Sequence, residues 1–355
     1  MTTSPVRVDT SAGTGIVPRL KIAFVTSGLG STQGGIGVAS ASMVKALQAG
    51  HDVQLWHNDV RFPRLVRQAA VIGKAWTSEK PDFVFYGHVW LAAIHAVTPR
   101  LRNVPYGVFL HGWEIWQPLN QRQRGALEAA AVLVANSQYT VDRARRQNPW
   151  LPAARVAWLG VPTDVPTISA GMQPPIALMV GRLVSSERGK GHDEVLTAWP
   201  TVRHAVPGAR LVLVGDGDGR SRLEERVRHE GISGVDFCGF VPDDEREHIY
   251  LRARTLLFPS TQEGFGLVLA EAAAHAMPSL ALRDTVFGEI FPEGNGVMFI
   301  NTTAPGDLGP AIIRLLTDDA FATATGSAAR RRVEDCFSES HFASRFRGAL
   351  KPLVP

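Results

Sequence analysis

Cysteine is almost missing from this chain. Cys238 and Cys336 are the only two in 355 residues. They lie far apart and fit no metal-ligand spacing, so a reducing compartment is expected and a structural zinc is not. No apolar run reaches the length of a membrane span. Residues 1–19 are rich in Thr, Ser, Gly, Pro and Val and lack the charged start and apolar block of a secretory signal; they read as a flexible tail. A cytoplasmic protein is expected, with peripheral contact at the inner face of the cell membrane left open. No Lys/Arg run resembles a nucleic-acid arm, so nucleic acid is not an expected partner. The net charge is only +4, which suits an anionic substrate or a phospholipid surface but is equally compatible with neither.

What is present is a folded composition, 45% hydrophobic and 20% charged, on a chain long enough for two α/β domains. Residues 20–26 (LKIAFVT) form a short apolar run ending at Ser27-Gly28, the pattern of a buried parallel strand. A helix is predicted over 36–49, and further strands over 51–56, 82–86, 106–110 and 131–135. Residues 161–175, with Pro162, Pro166, Pro174 and Pro175, read as a linker. The pattern then restarts, with strands over 176–180, 210–214, 235–238, 255–258 and 279–282 and helices over 223–229 and 267–275. A last helix over 338–350 is placed to cross back. The fold class is therefore α/β, with two Rossmann-like doubly wound parallel-sheet domains facing a cleft. The first covers 20–163 with 338–355 returning to it; the second covers 164–337.

Ligands bind open α/β sheets at the carboxyl ends of strands, and the unusual residues here lie there. In Ser260-Thr-Gln-Glu-Gly-Phe-Gly-Leu-Val-Leu-Ala-Glu271 a strand ends, Glu263 appears, glycines follow and a helix begins. Free amides at a helix start attract phosphate oxygen. Glu263 can accept hydrogen bonds from sugar hydroxyls, and Glu271 from a vicinal diol. In Gly181-Arg182 to Lys190-Gly191, two cations can neutralise a leaving diphosphate. The Gly28–Gly37 loop can approach a pyrophosphate, but its spacing is not a dinucleotide fingerprint and no acidic residue follows at the second strand's end. Asp216-Gly-Asp218 fits either a metal-binding pair or turn chemistry, and the turn is favoured. His111 follows a strand and can hydrogen-bond a transferring sugar. Trp113 and Trp116 can stack on a sugar or pack in the core, and His88 is a weaker acceptor-side candidate. Arg61, Phe62, Arg64, Leu65, Arg67 and Lys74 suit a membrane-facing or, more readily, an ordinary surface helix.

These motifs resemble glycosyltransferase family four over about residues 20–349. The resemblance is strongest in Gly181-Arg182 to Lys190-Gly191, Gly215-Asp216-Gly217, Phe237-Cys-Gly-Phe-Val241 and the spaced pair Glu263 and Glu271. It implies a GT-B fold, retention of anomeric configuration and no metal or other cofactor. It assigns catalysis to His111, Glu263, Arg182 and Lys190. Donor binding falls to Gly34, Gly35, Arg182, Lys190, Phe240, Val241, Glu263, Gly264, Phe265, Gly266, Leu267 and Glu271. His88 and Trp113 are left for the acceptor. The extended Arg-to-Lys segment resembles bacterial mannosyltransferases of exopolysaccharide assembly, which makes GDP-mannose the first expected donor and a UDP-sugar the next. The acceptor would be a glycan, a lipid-linked saccharide or a small molecule. Gly112 stands where many relatives carry Asp. A nucleotide-binding dehydrogenase or epimerase, or a GT-B-like binding protein without catalysis, is the alternative.

Overall fold

The first sheet is built from β1 (Lys21–Thr26), β2 (Asp52–His57), β3 (Phe83–Tyr86), β4 (Tyr106–Leu110), β5 (Val132–Ala135) and β6 (Ala154–Val156). All pair in parallel, in the order β2-β1-β3-β4-β5-β6. The second holds β7 (Ile176–Val180), β8 (Arg210–Val214), β9 (Val235–Gly239), β10 (Thr255–Phe258), β11 (Ser279–Leu282) and β12 (Val297–Ile300), also parallel, in the order β12-β11-β10-β7-β8-β9. In this computed structural model the described residues are 19–30, 34–57, 64–351 and 353–354. The expected tail, apart from Arg19, and Arg61 and Phe62 lie outside them, as do the side chains of Arg64, Leu65 and Arg67.

Helices cover both sheets. The first carries α1 (Gly34–Gln48), α2 (Arg64–Thr77), α3 (Val89–Ala92), α4 (Gln121–Glu128) and α5 (Gln138–Gln147). The second carries α6 (His192–Ala205), α7 (Arg220–His229), α8 (Asp243–Arg252), α9 (Leu267–Ala274), α10 (Val286–Ile290), α11 (Pro305–Thr317) and α12 (Asp319–Cys336). Coverage on both faces explains why β3 (FVFY), β4 (YGVFL) and β10 (TLLF) are buried at every position and do not alternate. The terminal α13 (Glu339–Leu350) packs on α1, β5 and β6 of the first sheet. Its Phe346 meets Phe85 edge-on at 5.1 Å, and Lys45 pairs with Glu339 at 2.7 Å. No helix among the described residues is long and apolar enough to cross a membrane.

Two findings differ from the sequence reading. The edge strands β6 and β12 were not expected; β6 is three residues with Arg155 at its centre, too short to show a period. The linker is also shorter than its prolines suggested. Ile168 N–H donates to His275 O at 2.9 Å, His275 Nδ1 lies 2.7 Å from Pro166 O, and Ala170 is buried, so the segment from Pro166 onward is fastened to the second domain. The two chain crossings touch: Val161 bridges Ser338 and donates to Phe337 O at 2.8 Å.

The first-domain core contains a polar cluster. Tyr86 Oη and His95 Nδ1 lie 3.0 Å apart, the His95 ring stacks on Tyr106, and Tyr106 Oη donates to Ala126 O at 2.6 Å. Burial pushes the His95 imidazole down to about 4, and does the same to His192 at the start of α6. As pH falls below about 6.5, the unfolded chain takes up protons that these folded histidines refuse. Each then removes about 1.4 kcal/mol of stability per pH unit, down to its folded value. The thermal midpoint is expected to fall steadily from pH 7 to pH 4.5, with a shallower slope in His95→Gln. A midpoint flat across that range would count against the buried neutral histidines.

Candidate active site between the two sheets

The strand orders decide where the site lies. The first sheet reverses between β1 and β3, the second between β7 and β10, and a crevice opens at the carboxyl ends of such strands. The Gly-rich loop follows β1, His88 follows β3 and His111 follows β4. Facing them, Arg182 follows β7 and Glu263 follows β10. The chemically distinctive residues therefore stand at the switch points of both sheets or, for His111, one strand away.

Across this crevice the two domains are in contact at Gly264. Asn136 Nδ2, after β5, donates to His111 O at 2.6 Å. A Cβ added to Gly264 would lie 1.8 Å from His111 O and 2.8 Å from Asn136 Nδ2, so only glycine fits. Ser137 Oγ and Thr140 Oγ1 donate to Gly264 O at 2.6 and 3.2 Å. Arg143 donates to Thr261 O at 3.1 Å while lying over the Trp116 ring. The Glu263–Leu267 loop is thus held by first-domain groups.

That loop leads into α9 through Gly266, which has φ 86°, and no side chain caps the helix. An uncapped helix start presents amides and a partial positive charge to an anionic ligand. Gly35 approaches from the first domain: a Cβ there would lie 3.5 Å from Leu267 Cδ1. Phe265 contributes only its backbone, because its ring is buried against Phe337. Lys190 ends a 3₁₀ turn, and its Nζ is ion-paired with Glu263. Thr261 N–H donates to Gly189 O at 2.8 Å, joining the two loops. Arg182 pairs instead with Glu187 and is largely exposed, so the two cations each hold a carboxylate rather than converging on their own. Glu271, one turn into α9, accepts from Tyr250 Oη at 3.0 Å and faces Arg246 at 3.7 Å. It borders a cavity of about 240 Å³ shared with Val38, Ser42 and Lys45 of α1. Phe240 is exposed at the end of β9, and Val241 packs on the core.

On the first-domain side, His111 is buried. Its Nε2 lies 2.7 Å from Gly87 O, and its backbone N–H donates to Glu114 Oε1 at 2.6 Å. A carbonyl only accepts, so Nε2 carries the proton, and in the neutral ring Nδ1 is the acceptor. His88 stacks on His111 at 5.8 Å, and burial, reinforced by His111 and opposed by Glu114, pushes its imidazole down to about 4. Trp113 is exposed. Trp116 is not: it is buried, edge-on to Tyr139, with Nε1 donating to Thr140 O, which assigns it to packing. Asp216 and Asp218 accept from the amides of Gly217 and Ser185, both at 2.8 Å, and Asp216 faces Arg220 at 3.6 Å. The first of these bonds is local to the turn, and the second ties the turn to the 183–187 loop.

Residues 164–332, the second sheet and its helices, match the family model described as glycosyl transferases group 1. The fold of the whole chain is of the GT-B type, and its second half matches a glycosyltransferase family. The chain is 28% identical over 329 residues to a glycogen synthase of Mycobacterium tuberculosis, covering 86% of this chain and 77% of that protein. It is also 28% identical over 303 residues to that organism's GDP-mannose-dependent alpha-(1-6)-phosphatidylinositol monomannoside mannosyltransferase, covering 78% and 74%. Among solved structures it resembles sucrose-phosphate synthase from Thermosynechococcus elongatus, with TM-score 0.79, 20% identity and coverage of 94% and 99%. It also resembles Anabaena HepE in complex with UDP and glucose, with TM-score 0.75, 18% identity and coverage of 94% and 100%.

The sequence reading missed Asn136, Ser137 and Thr140. They follow β5 at its carboxyl end, where the same strand-end rule that found His111 would have found them.

Proposed function

We propose that this chain is a glycosyltransferase that moves a hexose, with retention of anomeric configuration, from a nucleotide-diphosphate sugar to a glycan, lipid-linked or small-molecule acceptor. The observation that carries the reading is the contact of Gly264 with His111 and Asn136. It sets a first-domain histidine beside an uncapped helix start, Glu263 and Lys190. The diphosphate would sit on the α9 amides and Lys190, with Arg182 reaching it from its exposed position and Gly34 and Gly35 closing from α1. Glu271 would hold the ribose. Phe240 and Val241 would border the base. His111 would contact the donor sugar. His88 and Trp113 would line the acceptor side.

In this mechanism the acceptor hydroxyl attacks the face that the diphosphate leaves, and a leaving oxygen takes its proton. The fixed cations and amides stabilise the departing charge. No metal is needed for that neutralisation, and the carboxylates of Asp216 and Asp218 are already committed to backbone amides and Arg220. GDP-mannose is the first donor, a choice supported by the mannosyltransferase relative. UDP-glucose is the second, favoured by the likeness to HepE, which was also solved with UDP-glucose. The deciding experiment is a calorimetric panel of nucleotide sugars, followed by transfer in the presence of EDTA with the product anomer read by NMR. The expected result is an α-linked product formed at an undiminished rate. An inverted anomeric centre, or loss of activity restored by manganese and abolished in Asp216→Asn, would overturn the mechanism.

A further inference from the structure

One carboxylate crosses the domain boundary without touching the donor loop. Glu289 of α10, in the second domain, reaches the start of α5 in the first. Its Oε1 accepts from Gln138 N–H at 2.9 Å and from Trp158 Nε1 at 2.6 Å; its Oε2 accepts from Tyr139 N–H at 2.7 Å. Ser137, the N-cap of α5, takes the next amide, Thr140 N–H, at 3.0 Å, and its hydroxyl hydrogen goes to Gly264 O. The first-turn amides of α5 are therefore satisfied by one residue from each domain. A carboxylate at a helix start gains from both the hydrogen bonds and the helix dipole. If the domains separated, those amides and the Trp158 indole would lose that acceptor together.

We propose that Glu289 is a positioning residue for transfer: it clamps α5 of the first domain to the second, so that Ser137 and Thr140 hold Gly264 and the donor loop against His111. Glu289 acts through α5 and not on substrate. The role in transfer rests on the donor-loop reading above; the clamp itself does not.

The test uses the full chain carrying Glu289→Ala, Glu289→Asp or Trp158→Phe. With no ligand present, exchange of the Gln138 and Tyr139 amides should rise about tenfold or more in Glu289→Ala. Small-angle scattering should show a larger radius of gyration. Trp158→Phe removes one donor and leaves both helix amides held, so it should show a smaller change of the same kind. With UDP or GDP as probe, whichever the native protein binds, Kd should stay within about threefold while kcat falls about tenfold. Glu289→Asp should recover part of both the exchange protection and kcat. Native exchange rates and an unchanged radius in Glu289→Ala would overturn the clamp, whatever happens in the transfer assay. Loss of protection without any change in radius or in the ratio of kcat to nucleotide affinity would make Glu289 a helix cap only, and would also overturn the proposal.

Discussion

Lys190→Ala is expected to lower turnover about a hundredfold or more, the scale of losing one donor to a developing charge. The substitution does two things at once. It removes the cation proposed to neutralise the diphosphate, and it strips Glu263 of its ion-pair partner. Both side chains are largely shielded, 18% and 15% exposed, so the orphaned carboxylate also lowers stability. The pairing does not disqualify Lys190 from phosphate binding, because an ammonium has three donors and can hold a carboxylate and an anion together. Lys190→Ala with Glu263→Gln separates the effects. That double variant should recover most of the lost thermal stability and none of the turnover. Turnover per folded molecule restored to the native level would mean that the pair is structural and that the diphosphate is held elsewhere.

The architecture was legible where chemistry is local. Buried parallel strands announce themselves as short apolar runs, two of them (β7 and β8) stopped directly by Gly, and β4, β7, β8, β10 and β11 fall on their expected residues. The helix start after Glu263 was legible for the same reason, since a strand end, two glycines and an apolar stretch are adjacent in the chain. Features made by tertiary contact were not. Glu289 and the α5 amides it holds lie 151 and 150 positions apart, and Ser137 and Gly264 lie 127 apart. No periodicity links such pairs. Aromatic residues inside motifs were ambiguous too: Trp113 and Phe240 face outward, whereas Trp116 and Phe265 turn into the core. The proline-rich stretch misled because proline marks irregular backbone, not freedom to move, and the backbone after Pro166 is tied to His275.

Gly264→Ala should be as damaging as the loss of Lys190 by a different route, because it wedges the domains apart. The added methyl would need the space of the His111 carbonyl, 1.8 Å from its oxygen and 3.0 Å from its carbon, with Asn136 Nδ2 at 2.8 Å. Two of these three atoms are backbone, so a rotamer change cannot relieve the clash. Gly264 is not among the residues with positive φ, so alanine costs the second domain little by itself. The strain falls on the interface alone. Relief requires a separation of about 1 Å or more, which breaks the Ser137 and Thr140 bonds to Gly264 O and carries His111 away from the donor loop. A misplacement of that size costs about a hundredfold in rate when reacting groups must be aligned. The expected result is therefore a folded protein with an increased radius of gyration and turnover at least about a hundredfold below native. Its affinity for a nucleotide diphosphate should be nearly unchanged, since Lys190, the α9 amides and Glu271 all belong to the second domain. Near-native turnover in Gly264→Ala would show that the two loops stay apart in the reacting complex. The transferring sugar would then be met by groups other than His111.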